Sequence, residues 1–330
     1  MKRSLFPLLI AFLAGPATAG VEDAIETYIL PGYARLSEAT ETLANDAATD
    51  CTAEGLRPAY RDAFDAWARI GHLRIGPVEE QGRVLAIEFW PDVRGMADRT
   101  IAGLIADADP AVESEAGFAE VSVAGRGLMA LDRLLNDEAY EGYGKESYTC
   151  DYVVAVARDL ARMAFEIEAE WRDGYAETLA SAGDAGNTTY LSEREVRQAL
   201  FTALSSGLEF DAAQRLGRPL GTFERPRPER AEARRSGLSL ALLVASLEGL
   251  RDFATALALD TPTETRAAFD RAIAAARDLD DPVFALVDDP QGRFEVEIVQ
   301  QRIEAARQVA ASEIGTALGV SAGFNAGDGD

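Results

Sequence analysis

The sequence predicts an all-α fold built as two helical bundles. Three observations lead there. Apolar residues recur every three to four positions through most of the chain, and no segment shows the strict alternation of a half-buried strand. About eight helical segments over roughly 310 residues are also more than one core accommodates.

The elements follow in order. Lys2 and Arg3 precede a short apolar run from Leu5 to Leu13, and Ala17-Thr18-Ala19 places small residues before Gly20. This is the pattern of a secretory signal peptide, residues 1–19, too short for a stable membrane span. The remainder is expected in an oxidising compartment, most simply a bacterial periplasm, and not to span a membrane. Ile25, Tyr28, Leu36 and Leu43 mark a first helix with a kink expected at Pro31. Leu56, Tyr60, Phe64, Trp67 and Ile70 mark a second. The period is lost between Gly76 and Gly95, where Phe89-Trp90-Pro91-Asp92 reads as an ordered loop. Helices are expected over 119–135 and, as the longest, 148–179.

Gly183 to Asn187 is the expected break between halves, giving domains 20–185 and 186–330. Ser192, with Glu195 three residues on, predicts a capping box for the next helix. The Pro- and Arg-rich stretch from Arg218 to Arg235 reads as an irregular crossover. Helices are expected again over 238–257, 263–279 and 294–318. The apolar run Leu238 to Leu250 is interrupted by Glu248 and reads as a buried helix.

Composition excludes several chemistries. His72 is the only histidine, so an H-E-x-x-H zinc helix or a multi-imidazole metal site cannot be built. Without Lys2 and Arg3, 30 basic residues face 56 acidic ones, a net charge near −26, and Lys145 is the one lysine left. Such a chain repels nucleic acid and anionic lipid. Two cysteines remain, Cys51 and Cys150. In an oxidising compartment they are most simply a disulfide, worth about 4 kcal/mol on a chain-entropy account; two buried thiols are the alternative.

Four segments together resemble the imelysin-like proteins, which are also catalogued among the metallopeptidases. They are Trp67-Ala-Arg-Ile-Gly-His72-Leu-Arg-Ile-Gly76-Pro77, Phe89-Trp90-Pro91-Asp92, Arg234-Arg235-Ser236-Gly237-Leu238-Ser239-Leu240, and the ending Gly323-Phe324-Asn325-Ala326-Gly327-Asp328-Gly329-Asp330. The resemblance implies an exported, all-helical protein of two four-helix-bundle-like domains packed together, with a polar cleft between them and a link to bacterial iron uptake. The family's G-x-H-x-x-E motif corresponds to Gly127-Leu128-Met129-Ala130-Leu131-Asp132, where methionine replaces the histidine and aspartate the glutamate. A thioether is a poor ligand for hard ions. Met129 otherwise reads as core filler.

The candidate ligand-binding residues are therefore His72, Arg74, Met129, Asp132, Arg235 and Ser236, expected to meet at one cleft. Arg235 and Ser236 precede a helix start, which favours an anion; alternatively the arginines pair with carboxylates such as Asp328 and Asp330. His72 reads equally as a helix-end residue bonded to a carbonyl. Cys51, Cys150, Trp90, Asp92, Asn325, Asp328 and Asp330 are expected to be structural, Asp92 as a helix cap. No catalytic residue and no resident metal or other cofactor is expected, although iron or another metal remains open as a weak ligand. The reading is a periplasmic, non-enzymatic binding or accessory component of iron uptake, taking a small anionic ligand or an envelope partner. A carboxylate-based metal-dependent hydrolase and an envelope interaction module are the alternatives.

Overall fold

The computed structural model describes residues 19–321, which contain eleven helices and no named strand. The leader expected over 1–19 lies outside them apart from Ala19, and so do Asn325, Asp328 and Asp330. α1 runs through residues 19–49, α2 is Ala53–Ile70, and three shorter helices follow: α3 Arg83–Ile87, α4 Met96–Asp107 and α5 Glu115–Ala119. α6 is Gly127–Asn136 and α7 runs through 148–180. The second half holds α8 (193–220), α9 Ser239–Leu257, α10 Thr263–Arg277 and α11 (290–318). Among the described residues no helix is long and apolar enough to cross a membrane.

α1, α2, α6 and α7 pack against one another as one four-helix bundle, and α8 to α11 form the other. α9 also lies along α2, so the two bundles share a seam. Apolar stripes fill each interior: Leu36, Phe64, Val156 and Leu160 in the first, Leu204, Leu243, Phe269 and Ile303 in the second. Glu248, the charge inside the apolar run of α9, pairs across the seam with Arg69 at 2.6 Å and also with Arg277.

Four long helices contain a π turn: Ile25–Ile29, Trp171–Tyr175, Asp211–Leu216 and Ala311–Gly315. The expected kink at Pro31 takes this form: the helix continues, with a wide turn ahead of the residue that lacks an N–H. The helix expected over 119–135 instead begins at Gly127. Ser122 caps a short 3₁₀ turn, Arg126 is extended, and Gly127 has a φ of 68°. A Cβ there would lie 2.1 Å from the Ala86 carbonyl oxygen, so only glycine lets α6 start against α3. The expected capping box does not form, and the Glu195 bond falls one residue ahead of the cap. Glu195 accepts from the Leu191 N–H at 2.7 Å, while the Ser192 hydroxyl makes no capping bond.

Cys51 and Cys150 form a disulfide with Cα atoms 5.4 Å apart, joining the start of α2 to the start of α7. Asp92 caps α4, accepting from the Met96 and Ala97 N–H groups at 2.9 and 2.8 Å.

Candidate functional site

A cavity of about 730 Å³ opens where the bundles meet. α2 and the turn after it contribute Trp67, His72, Arg74 and Ile75, and α8 contributes Ser206, Phe210, Gln214 and Arg215. Apolar walls carrying a few convergent polar groups are the usual composition of a small-molecule site.

His72 follows the end of α2 and packs against Tyr28 of α1 and Phe253 of α9, with ring centroids 5.8 and 5.3 Å away. The Tyr28 hydroxyl donates to the Arg69 carbonyl at 2.5 Å, so its oxygen is left to face His72 Nε2 at 3.4 Å. That pairing assigns the proton to Nε2. Burial, with Arg215 and Arg74 adding to it, pushes the imidazole down to about 3. His72 is therefore neutral at ordinary pH.

One cavity wall is backed by a buried ionic cluster with one guanidinium among three carboxyls. Arg215 donates to Asp211 at 2.6 Å and to Glu232 at 2.8 Å, and Ser246 donates to Asp211 at 3.0 Å. Glu88 accepts from Trp67 Nε1 at 2.6 Å. Burial and the neighbouring Glu232 hold Glu88 well above the usual carboxylate range, and its other oxygen, Oε1, is buried without a hydrogen-bond partner. Burial opposes the charge on Glu232 too, but Arg215, Glu88 and Arg74 outweigh it and lower the pKa. Asp211 is pushed up to about 6 by burial, against the pull of Arg215. The π turn at Asp211–Leu216 carries Asp211 and Arg215 into this cluster, and wide turns of this kind often mark functional sites.

Phe210 organises the charges at the cavity edge. The Arg74 and Arg215 guanidiniums lie 5.2 and 5.1 Å from its ring centre, and Trp90 meets it edge-on at 5.8 Å. Trp90, expected to be structural, thus also borders the site.

The other candidate residues gather elsewhere. α6 is buried from Gly127 to Leu135, and Met129 sits in the apolar core. Asp132 Oδ1 accepts from the Ser236 backbone N–H at 3.1 Å and from the Tyr60 hydroxyl at 3.4 Å. Arg235 pairs with Asp137 at 2.6 Å and reaches Asp98 at 3.8 Å. The anion expected ahead of the Ser236 segment is thus the chain's own Asp132, and the positive charge expected from Arg235 is already matched. The structure joins Asp132 to Ser236 and brings His72 and Arg74 to the cavity. Met129, Asp132, Arg235 and Ser236 are not among the cavity's lining residues.

A metallopeptidase relationship implies a metal, and the residues at the family motif do not fit one. Met129 offers a thioether embedded in the core, and Asp132 has one oxygen already bonded and one buried without a partner. Among the described residues no group of three or more His, Cys, Asp and Glu side chains has metal-binding geometry. Glu88, Phe210, Arg215 and Glu232 were not singled out from the sequence. Partial signals existed in the Phe89-Trp90 loop beside Glu88 and the Arg-rich crossover, but nothing local marks Phe210.

Comparison with known proteins agrees with this architecture. An imelysin-like protein from Psychrobacter arcticum superposes with a TM-score of 0.79 over 96% of this chain and 100% of its own, at 20% identity. A candidate iron-regulated protein A precursor from Parabacteroides distasonis superposes with a TM-score of 0.71 over 91% and 95% of the two chains, at 13% identity. The bundle pair is thus the imelysin-like fold. The sequence profile of the imelysin (peptidase M75) family matches residues 29–310, and the chain belongs to that family. Iron-regulated protein A from Synechococcus elongatus is 24% identical over 229 residues, 64% of this chain; the match spans 57% of that relative's length.

Proposed function

We propose that this protein is an exported, non-enzymatic binding component of the imelysin family, holding a small anionic ligand in the cavity between its bundles and serving iron acquisition. The observation that carries the reading is the cavity itself. Both halves line it, a buried ionic cluster fixes its wall, and Arg74 forms no salt bridge among the described residues, the buried Glu232 being the carboxylate its charge reaches. The Leu5 to Leu13 leader pattern and the Cys51–Cys150 disulfide support a periplasmic location. The iron link rests on the names of the two iron-regulated relatives. Binding is favoured over hydrolysis because His72 is neutral with a low pKa and the motif positions Met129 and Asp132 lie outside the cavity lining.

The test is native mass spectrometry and metal analysis of protein purified from periplasm without added metal. A co-purifying small organic anion, displaced when Ser206→Trp fills the cavity, is the expected result. A stoichiometric transition metal held by Asp132, with sub-micromolar zinc or iron binding lost in Asp132→Ala, would overturn the reading in favour of the hydrolase.

A further inference from the structure

Fifteen of the 29 described arginines of this acidic chain form salt bridges. Arg83 pairs with Glu166 and Glu170, Arg126 with Asp159, and Arg133 with Asp98. Arg218, near the end of α8, is one of the fourteen that form none, and it is distinguished by a buried donor. Its one hydrogen-bond partner is Gln214 at 3.5 Å, its Nε is buried without a partner, and no carboxylate pairs with it among the described residues. Its guanidinium lies 5.9 Å from the Trp90 ring centre. Burial and the nearby Arg230 lower its pKa, as expected of like charges brought together without an anion. Arg218 and Trp90 do not line the cavity themselves, but both links from Arg218 lead to groups in its wall. Gln214 lines it directly, and Trp90 rests on Phe210, the lining ring that also carries Arg74.

We propose that Arg74 and Arg218, spaced by the Phe210–Trp90 pair, form an oxyanion-binding rim on the cavity, and that the ligand class is a small molecule bearing two or more carboxylate or phosphate groups. This rests on the cavity reading above and sharpens it. Guanidinium forks match planar or tetrahedral oxyanions through paired N–H donors, and their stacking on aromatic rings keeps them oriented. Two separated cations of this kind select for multiple anionic groups, because a lone carboxylate engages one of them. Arg235, the arginine that the crossover sequence offered for this task, is neutralised by Asp137; Arg218 supplies the second charge instead.

The experiment is calorimetric titration of the full mature chain with tricarballylate, pyrophosphate and acetate. Parallel titrations use Arg74→Gln, Arg218→Gln, Arg218→Lys and the cavity-filling Ser206→Trp, with helicity checked by circular dichroism. At least one polyanion is expected to bind roughly tenfold or more tighter than acetate, and each Gln variant to weaken it about tenfold or more. Arg218→Lys should retain part of the affinity. Tricarballylate preferred over pyrophosphate identifies a carboxylate ligand, and the reverse a phosphate one. Failure of both polyanions to bind, or unchanged affinity in Arg218→Gln, overturns the rim. If Arg218→Gln has no effect while Ser206→Trp abolishes binding, the cavity reading stands without the rim. If Arg218→Gln abolishes binding and Ser206→Trp does not, the anion site stands and the cavity reading falls.

Discussion

Gly249→Ala should destabilise this protein although alanine is the better helix former. Gly249 lies inside α9 where that helix crosses α2, and a Cβ there would sit 2.2 Å from the Arg69 carbonyl oxygen and 2.8 Å from its Cα. Both obstacles are backbone, so no side-chain rotation relieves them. Restoring ordinary contact requires the helices to part by about 1 Å, enough to forfeit a quarter to a half of each dispersion contact along the seam. Overpacking of this kind costs about 3 kcal/mol at the upper end of the usual range. Exchanging glycine for alanine in a helix interior returns about 1 kcal/mol. The expected net loss is therefore about 2 kcal/mol. Urea unfolding followed by circular dichroism should show it as a lower midpoint with an unchanged slope. Gly103→Ala in α4 is the control: nothing lies within 4 Å of its Cβ, so it should gain about 0.5–1 kcal/mol. Because the Arg69 carbonyl also accepts from Tyr28, which faces His72, Gly249→Ala should shift the single histidine resonance as well. A Gly249→Ala protein as stable as the parent would refute the argument that this seam is closed to a methyl group.

Three further outcomes are expected. Thiol labelling of unfolded, unreduced exported protein should find no free cysteine, and reduction should cost about 4 kcal/mol, with two reactive thiols the contrary result. The unfolded His72 takes a proton near pH 6.5 and the folded one not until about 3, so its contribution is complete above 6.5 and lost as pH falls through that window. His72→Gln should therefore gain on the parent from pH 7 down to pH 4, and parallel pH–stability curves would contradict this. Arg215→Met leaves Asp211 and Glu232 buried without their cation, costing about 3–5 kcal/mol at neutral pH. Those carboxyls then titrate higher, so the loss should be smaller at pH 5 than at pH 8; a pH-independent loss would argue against stranded charge.

Much of the fold was legible because helical periodicity is local. The stripes from Leu56 to Ile70 and from Tyr148 to Leu179 specify helices whatever they pack against. The short helices α3, α4 and α5 were not legible, since each is held by its neighbours and by caps such as Asp92 and Ser114. The π turns leave no pattern in sequence, yet one of them carries Asp211 and Arg215 into the cluster behind the cavity wall.

By itself the sequence determined the all-helical class, the family resemblance, the scarcity of imidazole, and the cysteine pair available for a bond. Only the tertiary structure decided which charges remain free. Arg235 and Arg218 flank the same Arg-rich crossover and are equivalent as sequence, but one meets Asp137 and the other meets Trp90. Asp132 looked like a ligand for something external and instead receives the Ser236 N–H, 104 residues away. The physical reason is that periodicity reports which face of a helix is buried. The partner of a charge depends on which two faces meet, and that follows from the packing of the whole chain.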